Sequence, residues 1–132
     1  MNGKGKSILV AEEDQAGCLL AKRLTMHHFE VVAVTDGLQA LRELHNGHFD
    51  VVITDVHLPY FDGLDLLSQC HLVWPELPVV LLSGHSPEII EPAVVQGAYA
   101  CLPKPINVGR LIYILREAIV RPASPVLVTR MT

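Results

Sequence analysis

The stretch from Asp50 to Gly63, Asp-Val-Val-Ile-Thr-Asp-Val-His-Leu-Pro-Tyr-Phe-Asp-Gly, constrains this chain more than any other. Val51 to Thr54 predict a short buried strand, because β-branched residues follow one another without a break. Asp55 stands where that strand ends. Pro59 and Gly63 mark a loop, and Leu64 to Leu72 has helix-forming composition. A carboxylate at the carboxyl end of a parallel strand faces the crevice where open α/β sheets bind ligands. Asp55 is therefore the candidate reactive group.

Four further apolar runs read as strands: Ser7 to Ala11, buried on both faces, then Val31 to Val34, Val79 to Leu82 and Ala100 to Leu102. Helical segments alternate with them. Gln15 to His28 carries an inner stripe of Cys18, Leu20 and Ala21/Leu24. A second helix starts near Gly37, capped by Thr35 or Asp36, with Leu38, Leu41 and Leu44/His45 at 3–4 spacing and Asn46-Gly47 as its stop. Ser86 to Gln96 forms a fourth helical segment in which Pro92 forces a kink or a late start. Residues 107–120 form the last helix, with Leu111, Ile114, Leu115, Ala118 and Ile119 on one face. Five strands alternating with five helices predict an α/β fold: a doubly wound, five-stranded parallel sheet of flavodoxin-like order 2-1-3-4-5. Residues 1–6 read as a flexible N-terminus, 7–120 as the domain, and 121–132 as a tail or the start of a linker.

Composition excludes several classes. At 132 residues and 50% apolar content the chain is one domain with ample core. Its three cysteines, Cys18, Cys70 and Cys101, are odd in number and widely spaced, which suggests reduced thiols in a cytoplasmic protein. No apolar run approaches the length of about 18 residues that suggests a membrane span. A net charge of −4 gives no overall basic footprint for nucleic acid. The seven histidines are scattered without ligand spacing, which argues against a transition-metal cluster.

The predicted strand order brings Glu12 and Glu13, Asp55, Ser83 and Lys104 to one edge of the sheet. Clustered carboxylates favour a hard divalent cation, and Mg²⁺ is the natural one. Lys104 and Ser83 could hold phosphoryl oxygens, one as a point charge and one as a hydroxyl donor. A carboxylate nucleophile, a metal, a lysine and a hydroxyl are the parts needed for phosphoryl transfer onto Asp55. His57 and His85 each follow a site residue by two positions and are expected to border the pocket and influence water access.

Over about residues 7–120 the chain resembles the receiver domain of two-component response regulators, of the single-domain chemotaxis type. The matching pieces are Ile8-Leu9-Val10 with acids after it, Asp55-Val56-His57-Leu58-Pro59 through Gly63, Val79 to Gly84, and Gly97-Ala98 followed by Lys104-Pro105. The resemblance implies that Asp55 is the phosphoacceptor, served by a histidine kinase or histidine phosphotransfer protein. It places Glu12 and Glu13 at the acidic metal positions and gives Mg²⁺ the backbone carbonyl of His57. It makes Ser83 the switch hydroxyl, Lys104 the phosphoryl-binding cation and Lys104-Pro105 a cis peptide. It also implies a downstream protein target, no external substrate beyond self-phosphorylation and autodephosphorylation, and no membrane or nucleic-acid contact by this domain. A dimer surface is expected on the face built by the fourth helical segment, the fifth strand and the last helix, where Tyr99, Ile112 and Tyr113 would form an exposed patch.

Three positions depart from the family pattern. Glu13 stands where an aspartate is usual, Cys101 where an aromatic ring is usual, and Pro92 interrupts the fourth helical segment. They motivate an alternative reading, a pseudo-receiver that binds partners without phosphate. An aspartate-nucleophile phosphatase is disfavoured because His57 stands where such enzymes want a second Asp. An FMN carrier is disfavoured because the turn after the first strand is acidic.

Overall fold

The computed structural model describes residues 5–84, 97–120 and 127–128. In chain order the elements are β1 (Ser7–Ala11), α1 (Ala16–Met26), β2 (Glu30–Val34), α2 (Gly37–Asn46), β3 (Val51–Asp55), α3 (Gly63–Val73), β4 (Val79–Ser83), β5 (Ala100–Pro103), α4 (Val108–Val120) and β6 (Leu127–Val128). The strands run in the order β2-β1-β3-β4-β5-β6 and every pairing is parallel. The expected 2-1-3-4-5 order is thus present, and the two-residue β6 extends it beside β5. The fourth helical segment, with Pro92, and His85 lie outside the described residues.

Two cores flank the sheet, as strand alternation requires. Ile8 and Val10, Val51 and Ile53, Val80 and Leu82 point to one face, packed with Leu20 and Leu24 of α1 and Leu111, Ile114 and Leu115 of α4. Leu9 and Ala11, Val52 and Leu81 point to the other, with Ala40 and Leu44 of α2 and Leu66, Leu67 and Cys70 of α3. Both faces of β1, β3 and β4 are covered, which is why these strands read as unbroken apolar runs. β2 lies at the edge, and only Val34 in it is buried.

The helix ends follow local rules. Asp36 caps α2, its carboxylate accepting the Gln39 N–H at 2.8 Å, and Asp62 caps α3 through Asp65 N–H at 2.9 Å. Asn107 Oδ1 accepts the Arg110 N–H at 3.0 Å where α4 begins.

Three expectations need correction. Cys18 is exposed, and the buried stripe of α1 is Gly17, Leu20 and Leu24, because 3–4 spacing from Leu20 puts position 18 outside. Leu38 is exposed while Ala40 is buried, since α2 turns its small residue toward the sheet. Tyr99 is only 6% exposed and belongs to the core under α1 and α4, so the patch with Ile112 and Tyr113 does not form; Tyr113 alone of the three is exposed. The Tyr99 N–H donates to Val79 O at 2.8 Å, which aligns Tyr99 with the sheet one residue before β5.

Burial pushes the Cys70 thiol up to about 12 and the Cys101 thiol up to about 11, from an ordinary value of 9.0. At pH 8 only about one Cys101 in a thousand is then a thiolate, which is the reactive form. Native protein at pH 8 is expected to react with Ellman's reagent at Cys18 alone, and at all three cysteines once unfolded. Because the folded thiols hold their protons longer than the unfolded ones, this stability contribution is complete below pH 9 and is lost as the pH rises toward 11.

Candidate functional site

Parallel pairing puts the carboxyl ends of β1, β3, β4 and β5 along one edge, and the polar residues of the site lie just there. Glu12 follows β1, with its N–H tied to Val34 O of β2 at 3.1 Å. Its side chain is 4% exposed. α1 covers it closely: a Cβ on Gly17 would sit 3.0 Å from Glu12 Cβ. Asp55 ends β3 with its side chain 17% exposed. Ser83 ends β4 and is buried. Its carbonyl accepts the Lys104 N–H at 3.0 Å, which fixes the lysine beside the β3–β4 edge. The Lys104–Pro105 peptide is cis.

Lys104 joins the two carboxylates. Its Nζ donates to Asp55 Oδ2 at 2.7 Å and lies 3.2 Å from Glu12 Oε2. The second contact is an ion pair off hydrogen-bond alignment, so Glu12 Oε2 is a buried oxygen without a hydrogen bond. Burial raises the Glu12 carboxyl above its ordinary value, the charges of Asp55 and Asp14 add to the rise, and Lys104 only partly offsets them. Burial pulls the Lys104 ammonium down, but the Asp55 hydrogen bond and the close negative charges of Asp55 and Glu12 outweigh it, and the net shift is upward. Lys104 therefore stays charged through the neutral range. The other Asp55 oxygen, Oδ1, receives a long 3.4 Å contact from the His57 N–H.

The loop after Asp55 is clamped by two glycines. Gly63 N–H donates to Val56 O at 2.7 Å, and a Cβ on Gly63 would lie 2.1 Å from the Asp55 carbonyl oxygen. A Cβ on Gly37 would lie 1.7 Å from Phe61 O. Neither close approach was legible in the sequence, because each glycine meets a backbone atom across a loop; the Asp-Gly pairs at 36–37 and 62–63 read only as helix starts. Gly63→Ala must displace the Asp55 end of β3. It is expected to lower stability by about 1–3 kcal/mol in urea unfolding, as overpacking does.

The structure brings Glu12, Asp55 and Lys104 together, with Ser83 at the neighbouring strand end. Glu13 is exposed. Among the described residues no group of three His, Cys, Asp or Glu side chains is placed to hold a metal ion. Two carboxylates and a buried oxygen lacking a hydrogen bond still fit a hard cation that keeps most of its waters, as magnesium does.

No described helix is long and apolar enough to cross a membrane. Transcriptional regulatory protein GlrR of Escherichia coli K12 is 30% identical over 126 residues, covering 93% of this chain and 28% of that protein. The transcriptional regulator NtrC of Bradyrhizobium is 35% identical over 123 residues, covering 91% of this chain and 25% of that protein. The chain thus spans about a quarter of these relatives. Among solved structures, a response regulator receiver domain protein from Clostridium thermocellum superposes with a TM-score of 0.84 at 28% identity, covering 88% of this chain and 95% of that one. The receiver domain of NtrX from Brucella abortus does so with a TM-score of 0.79 at 33% identity, covering 86% and 98%. The family model described as the response regulator receiver domain matches residues 8–116, and the chain belongs to that family.

Proposed function

We propose that this chain takes a phosphoryl group onto Asp55 from a phosphohistidine of a histidine kinase or phosphotransfer protein, and that the modification switches its affinity for a downstream protein. The observation that carries this reading is the Lys104 ammonium held 2.7 Å from Asp55 and 3.2 Å from Glu12. One cation already neutralises the place where phosphoryl charge would collect.

In the transfer an Asp55 carboxylate oxygen attacks phosphorus. The new O–P bond forms as the N–P bond breaks, and the histidine leaves with the electron pair and takes up a proton. Reversal of the modification is attack of water on the same phosphorus, which returns the carboxylate and releases phosphate. Glu12, Glu13, Asp55 and the His57 carbonyl would hold Mg²⁺. Bound there, Mg²⁺ supplies charge neutralisation and orientation for the phosphoryl oxygens. Lys104 supplies a fixed positive charge, and Ser83, at the end of the next strand, supplies a hydroxyl. The aspartyl phosphate adds charge between β3, β4 and β5, which biases the adjoining loops toward a second arrangement.

A cleft of about 300 Å³ opens beside the site, lined by Glu12 and Lys104 together with Leu19, Leu20, Arg23 and Ile106. Its apolar floor suits a protein donor better than a small one. The test is incubation with Mg²⁺ and acetyl phosphate, followed by intact mass, with beryllofluoride and NMR shifts as a second readout. One added phosphoryl group per chain is expected. No response to either reagent at saturation would leave the pseudo-receiver reading, a phosphate-independent interaction module, in its place.

A further inference from the structure

Tyr60 is held in the left-handed backbone region, at φ 69°, and is 84% exposed, more than any other large apolar side chain among the described residues. The Phe61 N–H donates to Pro59 O at 2.7 Å, so residues 59–61 close a three-residue turn with Tyr60 at its apex. Such a turn with positive φ at its centre is rare and strained. The loop has little freedom to relax. Pro59 has a fixed φ. Gly37 abuts the Phe61 carbonyl and donates its N–H to Pro59 O at 3.4 Å, and Gly63 abuts the Asp55 carbonyl. Glycine at position 60 would take this turn without strain. The chain carries a tyrosine there instead, and a ring so exposed recovers little of the cost by packing within its own fold.

We infer that Tyr60 is a docking residue for the protein that carries the phosphoryl group to Asp55, and that it helps set which donor the chain accepts. This rests on the phosphoacceptor reading above. Tyr60 lies five residues past Asp55, on the loop that leaves the same strand end. A phosphohistidine can meet a carboxylate that is 17% exposed only if the protein behind it settles on the surrounding loops. A small donor such as acetyl phosphate needs no such surface. Tyrosine suits the role: its ring buries a large apolar area, few torsions are frozen on contact, and its hydroxyl can keep a polar partner. The complementary partner surface is an apolar patch beside the phosphohistidine.

The test compares wild type, Tyr60→Gly and Tyr60→Phe with two kinds of donor. One is acetyl phosphate. The other is the source organism's histidine kinases, autophosphorylated with ATP and screened one by one, the fastest donor to wild type then being studied at varied chain concentration. Tyr60→Gly is expected to melt at or above the wild-type temperature and to take phosphate from acetyl phosphate within about 2-fold of wild type. Its kcat/KM from the kinase is expected to fall at least about 10-fold, mostly in KM, as for an interface hot spot. Tyr60→Phe should stay within about 3-fold. Unchanged kinase transfer to Tyr60→Gly would overturn the inference. So would an equal loss with both donors, which makes Tyr60 a structural prop, or a wild type that accepts acetyl phosphate but no kinase of the set. Failure of the wild type with acetyl phosphate sinks the phosphoacceptor reading itself, a separate result.

Discussion

Asp55→Asn is expected to abolish incorporation of a phosphoryl group. The amide keeps the shape of the carboxylate and leaves an oxygen facing Lys104, so the fold and the site's outline survive. What is lost is the anionic nucleophile. A neutral amide oxygen attacks phosphorus far more slowly, and a loss of at least about 1000-fold, roughly 4 kcal/mol of barrier, is the expected scale. Intact mass after incubation with Mg²⁺ and acetyl phosphate is the readout. The variant should stay at its unmodified mass while wild type gains one phosphoryl group. Equal incorporation in both would mean that the acceptor is elsewhere.

Lys104→Met should have the second largest effect, and it separates two roles of one side chain. Methionine fills similar space without charge. The phosphoryl oxygens lose a fixed cation, and phosphorylation by acetyl phosphate is expected to slow by about 100-fold, the scale seen when one preorganised electrostatic contact is removed. The same change leaves Glu12, 4% exposed, without its counter-charge and beside Asp55. Because the lysine head is itself partly solvated, the stability loss at neutral pH is expected to be modest, about 1–2 kcal/mol. Its pH dependence identifies its origin. Burial already raises the folded-state Glu12 carboxyl, and removing Lys104 raises it further. A raised carboxyl stabilises the fold when protonated, below its unfolded value of 4.5, and that contribution is lost as the pH climbs through the folded value. The deficit of Lys104→Met should therefore be largest near neutrality and shrink in acid, as measured by urea unfolding at several pH values. A deficit that is the same at all pH values would point to packing.

Much of the architecture was legible because the strands are buried on both faces. Runs such as Ile8-Leu9-Val10 and Val79 to Leu82 carry no alternation, and the polar residue that ends each run marks the edge where the site forms. Lys104 was legible for a similar reason: two prolines bracket it directly after an apolar run. The misses share a different cause. Cys18 and Leu38 are apolar but face outward, since helix phase is set by which residues fit the sheet, and small Gly17 and Ala40 fit. Tyr99 lies before the apolar run of β5 yet already bonds to Val79, so its burial follows from β4. The clamping by Gly37 and Gly63 depends on remote backbone atoms. The left-handed turn at Tyr60 leaves no mark in the sequence, because tyrosine is not a residue that announces one.

Everything proposed for this chain depends on which carboxylate carries the phosphoryl group. Borohydride reduces an aspartyl phosphate to homoserine, and peptide mapping after phosphorylation then locates it among the six aspartates. Homoserine at position 55 and at no other is the expected result. Homoserine at Glu12's neighbour Asp14, at Asp62, or at any site other than 55 would contradict the reading of Lys104, Glu12 and Asp55 as one phosphoryl-accepting unit.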